Sequence, residues 1–434
     1  MRFQNLDDWL VWQETLHPGR IELGLERIRS VWFRLSAQTG PVRLPFAVIS
    51  VGGTNGKGSC VAYLDAWYRA AGYRCGAYTS PHLLRYNERI RIDGEMVSDD
   101  ALCEAFERID RARGEIALTY FEFGTLAALD LFMRADLDIA VLEVGLGGRL
   151  DAVNLVAADV ALVASVGRDH MAWLGDDLAS IATEKAGIFR AGRPAVIGQQ
   201  DAPAALRERA EEIGAQPLQA GREFAWTAAA DGWDWQGPRG RHYRALPIPA
   251  LRGRHQYQNA AAALCALEQL AERLPVAPAA IRQGLLRAAL PGRFTSVPGN
   301  PEAGTPAWVL DVAHNDQAAC ALAETLAAYP CSGQRLAVLA LLSDKEPEAV
   351  IAPLAPLIDQ WYLASAPSDR AMPLERMSAA LAATAPGATV VVEPDLDAAF
   401  QAAAQTAQPD DLILIFGSFL TIEAALRSPL ISPV

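Results

Sequence analysis

Val48-Ile49-Ser50-Val51-Gly52-Gly53-Thr54-Asn55-Gly56-Lys57-Gly58-Ser59 decides how the rest of the chain is read. A short apolar run rich in β-branched residues ends in clustered glycines. A lysine, a hydroxyl and a helical pattern through Val61, Leu64, Trp67 and Tyr68 follow. That order suits a loop that cradles phosphate. Glycines let backbone N–H groups turn inward, and the following helix directs its positive end at the anion. Thr54, Asn55, Gly56, Lys57, Gly58 and Ser59 are the expected nucleotide contacts, with Lys57 reaching the outer phosphates and Ser59 able to ligate Mg²⁺. The spacing departs from the usual pattern: three residues separate Gly52 from Gly56, and Gly58 intervenes before Ser59. A glycine-rich turn with no ligand is the alternative. The agreement of glycines, lysine, hydroxyl and flanking elements favours phosphate.

Outward from this loop, strand and helix alternate. Residues 3–37 read as helical, with one apolar face through Leu6, Trp9, Leu10 and Trp12 and another through Leu23, Leu25, Ile28, Val31 and Trp32. Residues 74–79 read as a strand ending at Ser80-Pro81-His82. Ser98 is suited to N-cap a helix over 99–111, and 121–134 reads as another. Asp138 to Gly145 is a continuous apolar strand carrying Glu143 near its end, and 159–166 is a strand followed by Asp169-His170. A helix over 177–186 and a strand over 194–197 follow. This alternation predicts a mostly parallel sheet covered on both faces, with ligands beyond the carboxyl ends of the strands. Thr54, Ser80, Glu143 and His170 fall at such ends. Trp226, Trp233, Trp235 and Tyr243, among Gly and Pro, suggest a small antiparallel excursion over 222–250. Helices over 257–273 and 279–289 complete a first domain, 1–297; 298–306, rich in Pro and Gly, reads as a linker. A smaller Rossmann-like α/β domain over 307–434 is expected, with strands at 307–312, 335–341, 360–364, 389–392 and 411–416.

Composition narrows the function classes. At 434 residues, 51% hydrophobic and 21% charged, the chain reads as a soluble globular protein of two or three domains. A net charge of -13 argues against a broad nucleic-acid surface, yet leaves room for small anions at a local basic site. Acids at Asp7 and Asp8 argue against a signal peptide, and no apolar run reaches the ~18 residues of a membrane span. None of the six cysteines forms a C-x-x-C pair, so reduced, buried thiols in the cytoplasm are expected.

The loop keeps specific company: Ser80-Pro81-His82-Leu83, Glu143-Val144-Gly145-Leu146-Gly147-Gly148-Arg149-Leu150-Asp151-Ala152, Asp169-His170, Glu184-Lys185-Ala186-Gly187-Ile188, Asn259-Ala260-Ala261, Pro291-Gly292-Arg293-Phe294 and Asp311-Val312-Ala313-His314-Asn315. In this order the series resembles the folylpolyglutamate synthase and dihydrofolate synthase family, within the Mur ligase superfamily. The resemblance covers nearly the whole chain, and Thr119-Tyr120-Phe121-Glu122 is similar to the bifunctional bacterial members that also bind dihydropteroate. It implies ATP-dependent joining of L-glutamate to dihydropteroate and to folates through an acyl phosphate. It also implies a nucleotide bound between the domains; with ligands expected on both sides of the 298–306 linker, the domains are expected to close on their substrates. The expected partners are dihydropteroate, folates, L-glutamate and ATP, with no nucleic acid or membrane, and the chain is expected to act as a monomer.

The resemblance also assigns residues. Ser59, Ser80 and Glu143 would hold one Mg²⁺, and His170 and Lys185 a second, Lys185 being carbamylated. Read alone, Glu143 would be an acid paired with Arg149, His170 a loop histidine and Lys185 an exposed helical lysine. Asn259, Arg293 and Asp311 are implied nucleotide contacts; as a bland alternative, Asn259 caps its helix. Lys57, Lys185 and His314 are the implied catalytic residues, His314 near the acyl phosphate and incoming glutamate. Glutamate falls to the second domain, with Ser418 a candidate contact. The pterin is expected against Ile21-Glu22-Leu23-Gly24, Thr119-Tyr120-Phe121-Glu122 and Leu150-Asp151-Ala152. There Tyr120 and Phe121 can flank a flat ring, or simply be core, and Glu122 can meet its amino edge, or simply start a helix. A monofunctional folylpolyglutamate synthase and a peptidoglycan-precursor Mur ligase are the nearest rivals; a nucleotide-binding module without turnover is the rival from another class.

Overall fold

The computed structural model describes residues 1–17, 22–37, 42–175, 177–300 and 304–431. Two compact units emerge: Met1–Ala250 with Tyr257–Ala288, and Leu251–Gln256 with Ala289–Val434. The strands of the first are β1 (Ala47–Gly52), β2 (Cys75–Tyr78), β3 (Ile90–Ile92), β4 (Glu95–Met96), β5 (Ile139–Glu143), β6 (Val160–Val163), β7 (Pro194–Ile197), β8 (Gln216–Gln219), β9 (Ala225–Ala229), β10 (Gly232–Gln236) and β11 (His242–Leu246). Those of the second are β12 (Thr295–Val297), β13 (Ala307–Asp311), β14 (Arg335–Leu339), β15 (Gln360–Leu363), β16 (Thr389–Val392) and β17 (Leu412–Phe416).

The main sheet of the first unit runs β4-β3-β2-β5-β1-β6-β7-β8. From β2 to β8 every pairing is parallel; β3 and β4 add an antiparallel edge. β1 and β5 are buried throughout, as parallel strands covered on both faces must be. Because Val51 pairs with Glu143 and Gly52 with Val163, the ends of β5, β1 and β6 lie side by side. The phosphate-type loop, Glu143 and the 164–170 segment therefore leave the sheet together. Behind them the Lys57–Ala70 helix is buried along most of its length. It meets the Pro278–Arg287 helix at Gly284, where a Cβ would lie 2.4 Å from Trp67.

Residues 3–37 form two helices, Leu6–Thr15 and Glu26–Ser36, so the two apolar faces belong to separate elements. The antiparallel excursion is the sheet β11-β10-β9, whose buried Trp233 and Trp235 donate to Pro247 O at 3.0 Å and Ala261 O at 3.1 Å. The second unit has the order β12-β13-β17-β14-β15-β16 around its own core, parallel except for β12. β12 pairs antiparallel with β13, and Asn300 bridges Thr305, so the segment expected to link the domains instead joins two strands of one sheet. The chain passes between the units at Ala250/Leu251, Gln256/Tyr257 and Ala288/Ala289. Cys60, Cys75, Cys103 and Cys265 are buried, but Cys320 is exposed and Cys331 half-buried, so burial of all the thiols does not hold. Among the described residues, no helix is long and apolar enough to cross a membrane.

Candidate functional site

The loop after β1 is built by backbone demands. Gly53 and Gly56 have φ of 143° and 84°, conformations that glycine adopts without penalty. A Cβ on Gly56 would lie 2.4 Å from Asn259 Oδ1. Thr54 N donates to Ser165 O at 2.8 Å, and Thr54 Oγ1 both donates to Gly167 O and accepts from Gly167 N, each at 3.0 Å. Ser165 Oγ accepts from Asn55 N and donates to Asn55 O, again at 3.0 Å. The loop is thus tied to the segment after β6 by these five hydrogen bonds. Lys57 Nζ folds back on Gly53 O (2.9 Å) and Thr54 O (3.1 Å), an ammonium held over the loop it follows. Ser59 is buried in the first turn of the Lys57–Ala70 helix.

Glu143 is 5% exposed at the tip of β5 and accepts from Ser80 N at 3.4 Å, bringing two expected metal ligands together. Arg149 does not pair with it; Arg149 binds Glu184, with Nε and Nη2 at 3.0 and 2.8 Å from Oε1. Among the described residues no three His, Cys, Asp or Glu side chains gather as a metal cluster. Mg²⁺ keeps several waters and needs only one or two carboxylates beside phosphate oxygens. Ser59, Ser80 and Glu143 are all hard oxygen donors, so the residues fit the ion.

Lys185 is 3% exposed, not the surface lysine its helix position suggests. Burial, with Lys57 nearby, pulls its ammonium down to about 7, against the opposing pull of Asp169 and Asp151. Asp151 is also buried. Desolvation pushes its carboxyl up to about 6, although Leu146 N (2.8 Å) and Val153 N (2.9 Å) donate to it. His170 has a left-handed backbone (φ 52°) and a ring 41% exposed, its Nε2 3.9 Å from Asp169 Oδ1.

The segments expected to hold the pterin converge. Gly24 N donates to Leu150 O at 3.2 Å, and a Cβ on Gly145 would strike the Phe121 ring. Thr119 and Glu122 form a capping box: Thr119 N donates to Glu122 Oε2 at 2.8 Å and Glu122 N to Thr119 Oγ1 at 3.2 Å. Arg27, which sequence reasoning passed over, ties Glu22 to Glu122, with Nη2 3.3 Å from Glu122 Oε1. Leu23 and Leu150 are half-buried and Ala152 is buried. Ile21 lies outside the described residues. Asn259 sits in the second turn of the His255–Glu268 helix, so it does not cap it.

The second unit gathers its own set. Asp311 accepts from Phe294 N and Ala313 N, both at 2.8 Å, and burial raises its pKa against the pull of Arg293. Arg293 lies 5.3 Å over the Phe419 ring, and the His314 ring is 6.4 Å from the same phenyl. His314 Nδ1 is 2.7 Å from Val312 O, a carbonyl that can only accept, so Nδ1 is the donor in that contact. Ser418 is buried as N-cap of the Phe419–Arg427 helix, accepting from Thr421 N at 3.0 Å.

Residues 51–267 match the Mur ligase middle domain, and residues 292–419 the Mur ligase glutamate ligase domain. The dihydrofolate synthase/folylpolyglutamate synthase of Escherichia coli K12 is 41% identical over 417 residues, covering 96% of this chain and 94% of that protein. That of Haemophilus influenzae is 37% identical, covering 96% of each. Among solved structures, E. coli FolC in complex with DHPP and ADP superposes with a TM-score of 0.89 at 40% identity, covering 98% of this chain and 97% of that one. A bifunctional folylpolyglutamate synthase/dihydrofolate synthase with Mn, AMPPNP and L-glutamate bound gives 0.87 at 41%, with the same coverage. With strand-end loops, buried lysine and full-length similarity in agreement, the chain belongs to the Mur ligase family, in its dihydrofolate synthase/folylpolyglutamate synthase branch.

Proposed function

We propose that this chain is an ATP-dependent ligase that joins L-glutamate to dihydropteroate and to the γ-carboxyl of folates. A carboxylate oxygen attacks the γ-phosphorus, ADP leaves, and an acyl phosphate forms. The glutamate amine then attacks the carbonyl, loses a proton, and phosphate departs. The observation that supports this most is the contact of the Ser80 backbone N–H with the buried Glu143, in the same unit as the Lys57 loop and the buried Lys185, in a chain 41% identical to a named bifunctional synthase. Two anions must meet in this reaction, so charge neutralisation matters more than a protein nucleophile.

Lys57 steadies the outer phosphates, and Thr54 to Ser59 wrap them. Ser59, Ser80 and Glu143 would hold one Mg²⁺, and His170 with Lys185 a second; when bound, the ions would neutralise the phosphates and the attacking carboxylate. Carbamylation needs a neutral amine, whose lone pair attacks the carbon of CO₂ and which then loses a proton, so the depressed pKa of Lys185 supports it. Asn259, Arg293 and Asp311 contact the nucleotide. His314 lies near the acyl phosphate and the incoming glutamate, and Ser418 near the glutamate. Glu22 to Gly24, with Ile21, Thr119 to Glu122 and Leu150 to Ala152 enclose the pterin. Six free cysteines support a reducing, cytoplasmic setting.

The test is ADP release with each substrate omitted in turn. Turnover that requires both dihydropteroate and glutamate is expected, with ¹⁸O from labelled dihydropteroate carboxylate appearing in phosphate. Release that ignores either substrate, or unlabelled phosphate, would overturn the reading. Turnover with folate but none with dihydropteroate would leave a monofunctional synthase.

A further inference from the structure

We propose that Arg89 is a specificity-determining substrate contact. Its guanidinium takes the α-carboxylate of a glutamate already attached to the acceptor, and so governs the later additions more than the first. This rests on the ligase reading above.

Arg89 is 9% exposed. A guanidinium that deep ordinarily sits against a carboxylate, because an unpaired buried charge is costly. Among the described residues no acid pairs with it. Its side-chain hydrogen bond runs from Nε to His82 Nδ1 at 2.8 Å, a neutral acceptor. Tyr86 and Tyr120 lie 5.2 and 5.6 Å from its carbon and hold its plane. The nearest acids along the chain are committed elsewhere. Glu88 accepts from the backbone N–H groups of Leu83, Leu84 and Arg85, and Asp99 from Arg85 and Asn87. The four N–H donors on the terminal nitrogens therefore have no protein acid to meet, while the aromatic faces fix where they aim.

Placement gives the missing partner its chemistry. Thr79 N donates to Arg89 O at 2.9 Å, so Arg89 is anchored beside the residue preceding Ser80. Tyr120, whose ring lies 5.6 Å from the Arg89 guanidinium carbon, opens the helix of the Thr119–Glu122 segment. The cation thus spans from the loop expected to activate the acceptor's carboxylate to the segment expected to hold its pterin. Its planar fork matches a carboxylate bidentately. Dihydropteroate carries only the carboxylate that reacts. A folate carries the reacting γ-carboxylate and, next to it, an α-carboxylate that must be neutralised without being activated.

The experiment compares Arg89→Lys and Arg89→Gln with the native enzyme, using dihydropteroate and tetrahydrofolate as alternative acceptors. Circular dichroism and melting temperature serve as fold controls. For Arg89→Gln, kcat/KM on tetrahydrofolate is expected to fall roughly 10- to 100-fold, mainly through KM, against at most about threefold on dihydropteroate. Arg89→Lys keeps the charge and loses the fork, so it should fall between, and it decides the matter if Arg89→Gln does not fold. Equal losses on both acceptors would show that Arg89 serves the reacting carboxylate or the fold. No loss on either would show that it meets no substrate. Both outcomes overturn the proposal. Native turnover on each acceptor tests the ligase reading separately, and a native enzyme inactive on tetrahydrofolate would remove the substrate Arg89 is proposed to recognise.

Discussion

Lys185 and Asp151 show how much of this site is held against its own stability. The unfolded chain binds a proton at Lys185 up to pH 10.5, the folded chain only to about 7, so stability climbs as pH rises through that window. At neutral pH the buried amine costs on the order of several kcal/mol. Lys185→Met should therefore abolish ligation yet melt higher than the native enzyme at pH 7 in bicarbonate-free buffer, the gap narrowing toward pH 10. A lower melting point at pH 7 would mean that the ammonium is well paired. Asp151 works in the opposite sense. Its folded pKa of about 6 exceeds the ordinary 3.8, so stability falls as pH rises between those values. Glu143→Ala should leave the fold intact while cutting ATP turnover at least about 100-fold, because it removes a carboxylate proposed to hold the Mg²⁺ that would neutralise the transferring phosphate. Turnover within a few-fold of native would exclude Glu143 from the metal site. The acid could be read as functional from its place at the end of an apolar run. That Arg149 belongs to Glu184, and not to Glu143, could not, because the two partners stand 35 residues apart in sequence.

At the scale of elements, the loop after β1 depends on its neighbour after β6. Ser165 supplies both a donor and an acceptor to Asn55. Ser165→Ala should raise KM for ATP severalfold and cost about 1 kcal/mol of stability, with KM for dihydropteroate unchanged. Isothermal titration with an ATP analogue and a urea melt would check both. Gly56→Ala should be more severe: it places a methyl against Asn259 and holds alanine at φ 84°. Loss of nucleotide affinity with a destabilisation of roughly 1–3 kcal/mol is expected. Many strands and helices of the first unit were legible because they carry a local signal, such as β-branched runs or the N-cap at Ser98; the capping box at Thr119 was found only in the structure. β3, β4, β8 and β12 were not legible. They are short, and pairing with a neighbouring strand stabilises them more than their own residues do.

At the scale of the whole molecule, the two units differ from any simple cut in the sequence. Leu251–Gln256 belongs to the second unit although the first resumes at Tyr257. Within that segment Arg252 lies 5.3 Å over the Tyr329 ring, and Gly253 approaches Thr325 closely enough that a Cβ would lie 2.6 Å from its hydroxyl. We propose that the fragment 289–434 folds by itself, since it holds a complete sheet and core. It should melt below its counterpart in the full chain, and recover part of the difference when a peptide spanning 251–256 is added. A fragment with no cooperative transition would refute that division.

The order of glycines, lysine, hydroxyls and acids along the chain determined the α/β class, the strand-end position of the candidate ligands and the family. Each of those depends on residues close in sequence or on a fixed series. Only the tertiary structure decided which charges are paired, which are buried and which segments share a unit. Arg27 joining Glu22 to Glu122, Lys185 drawn into the interior, Arg89 caged by Tyr86 and Tyr120, and 298–306 joining two strands of one sheet all arise from groups brought close by folding. Burial and distance set electrostatic energies, and neither is written in the local sequence.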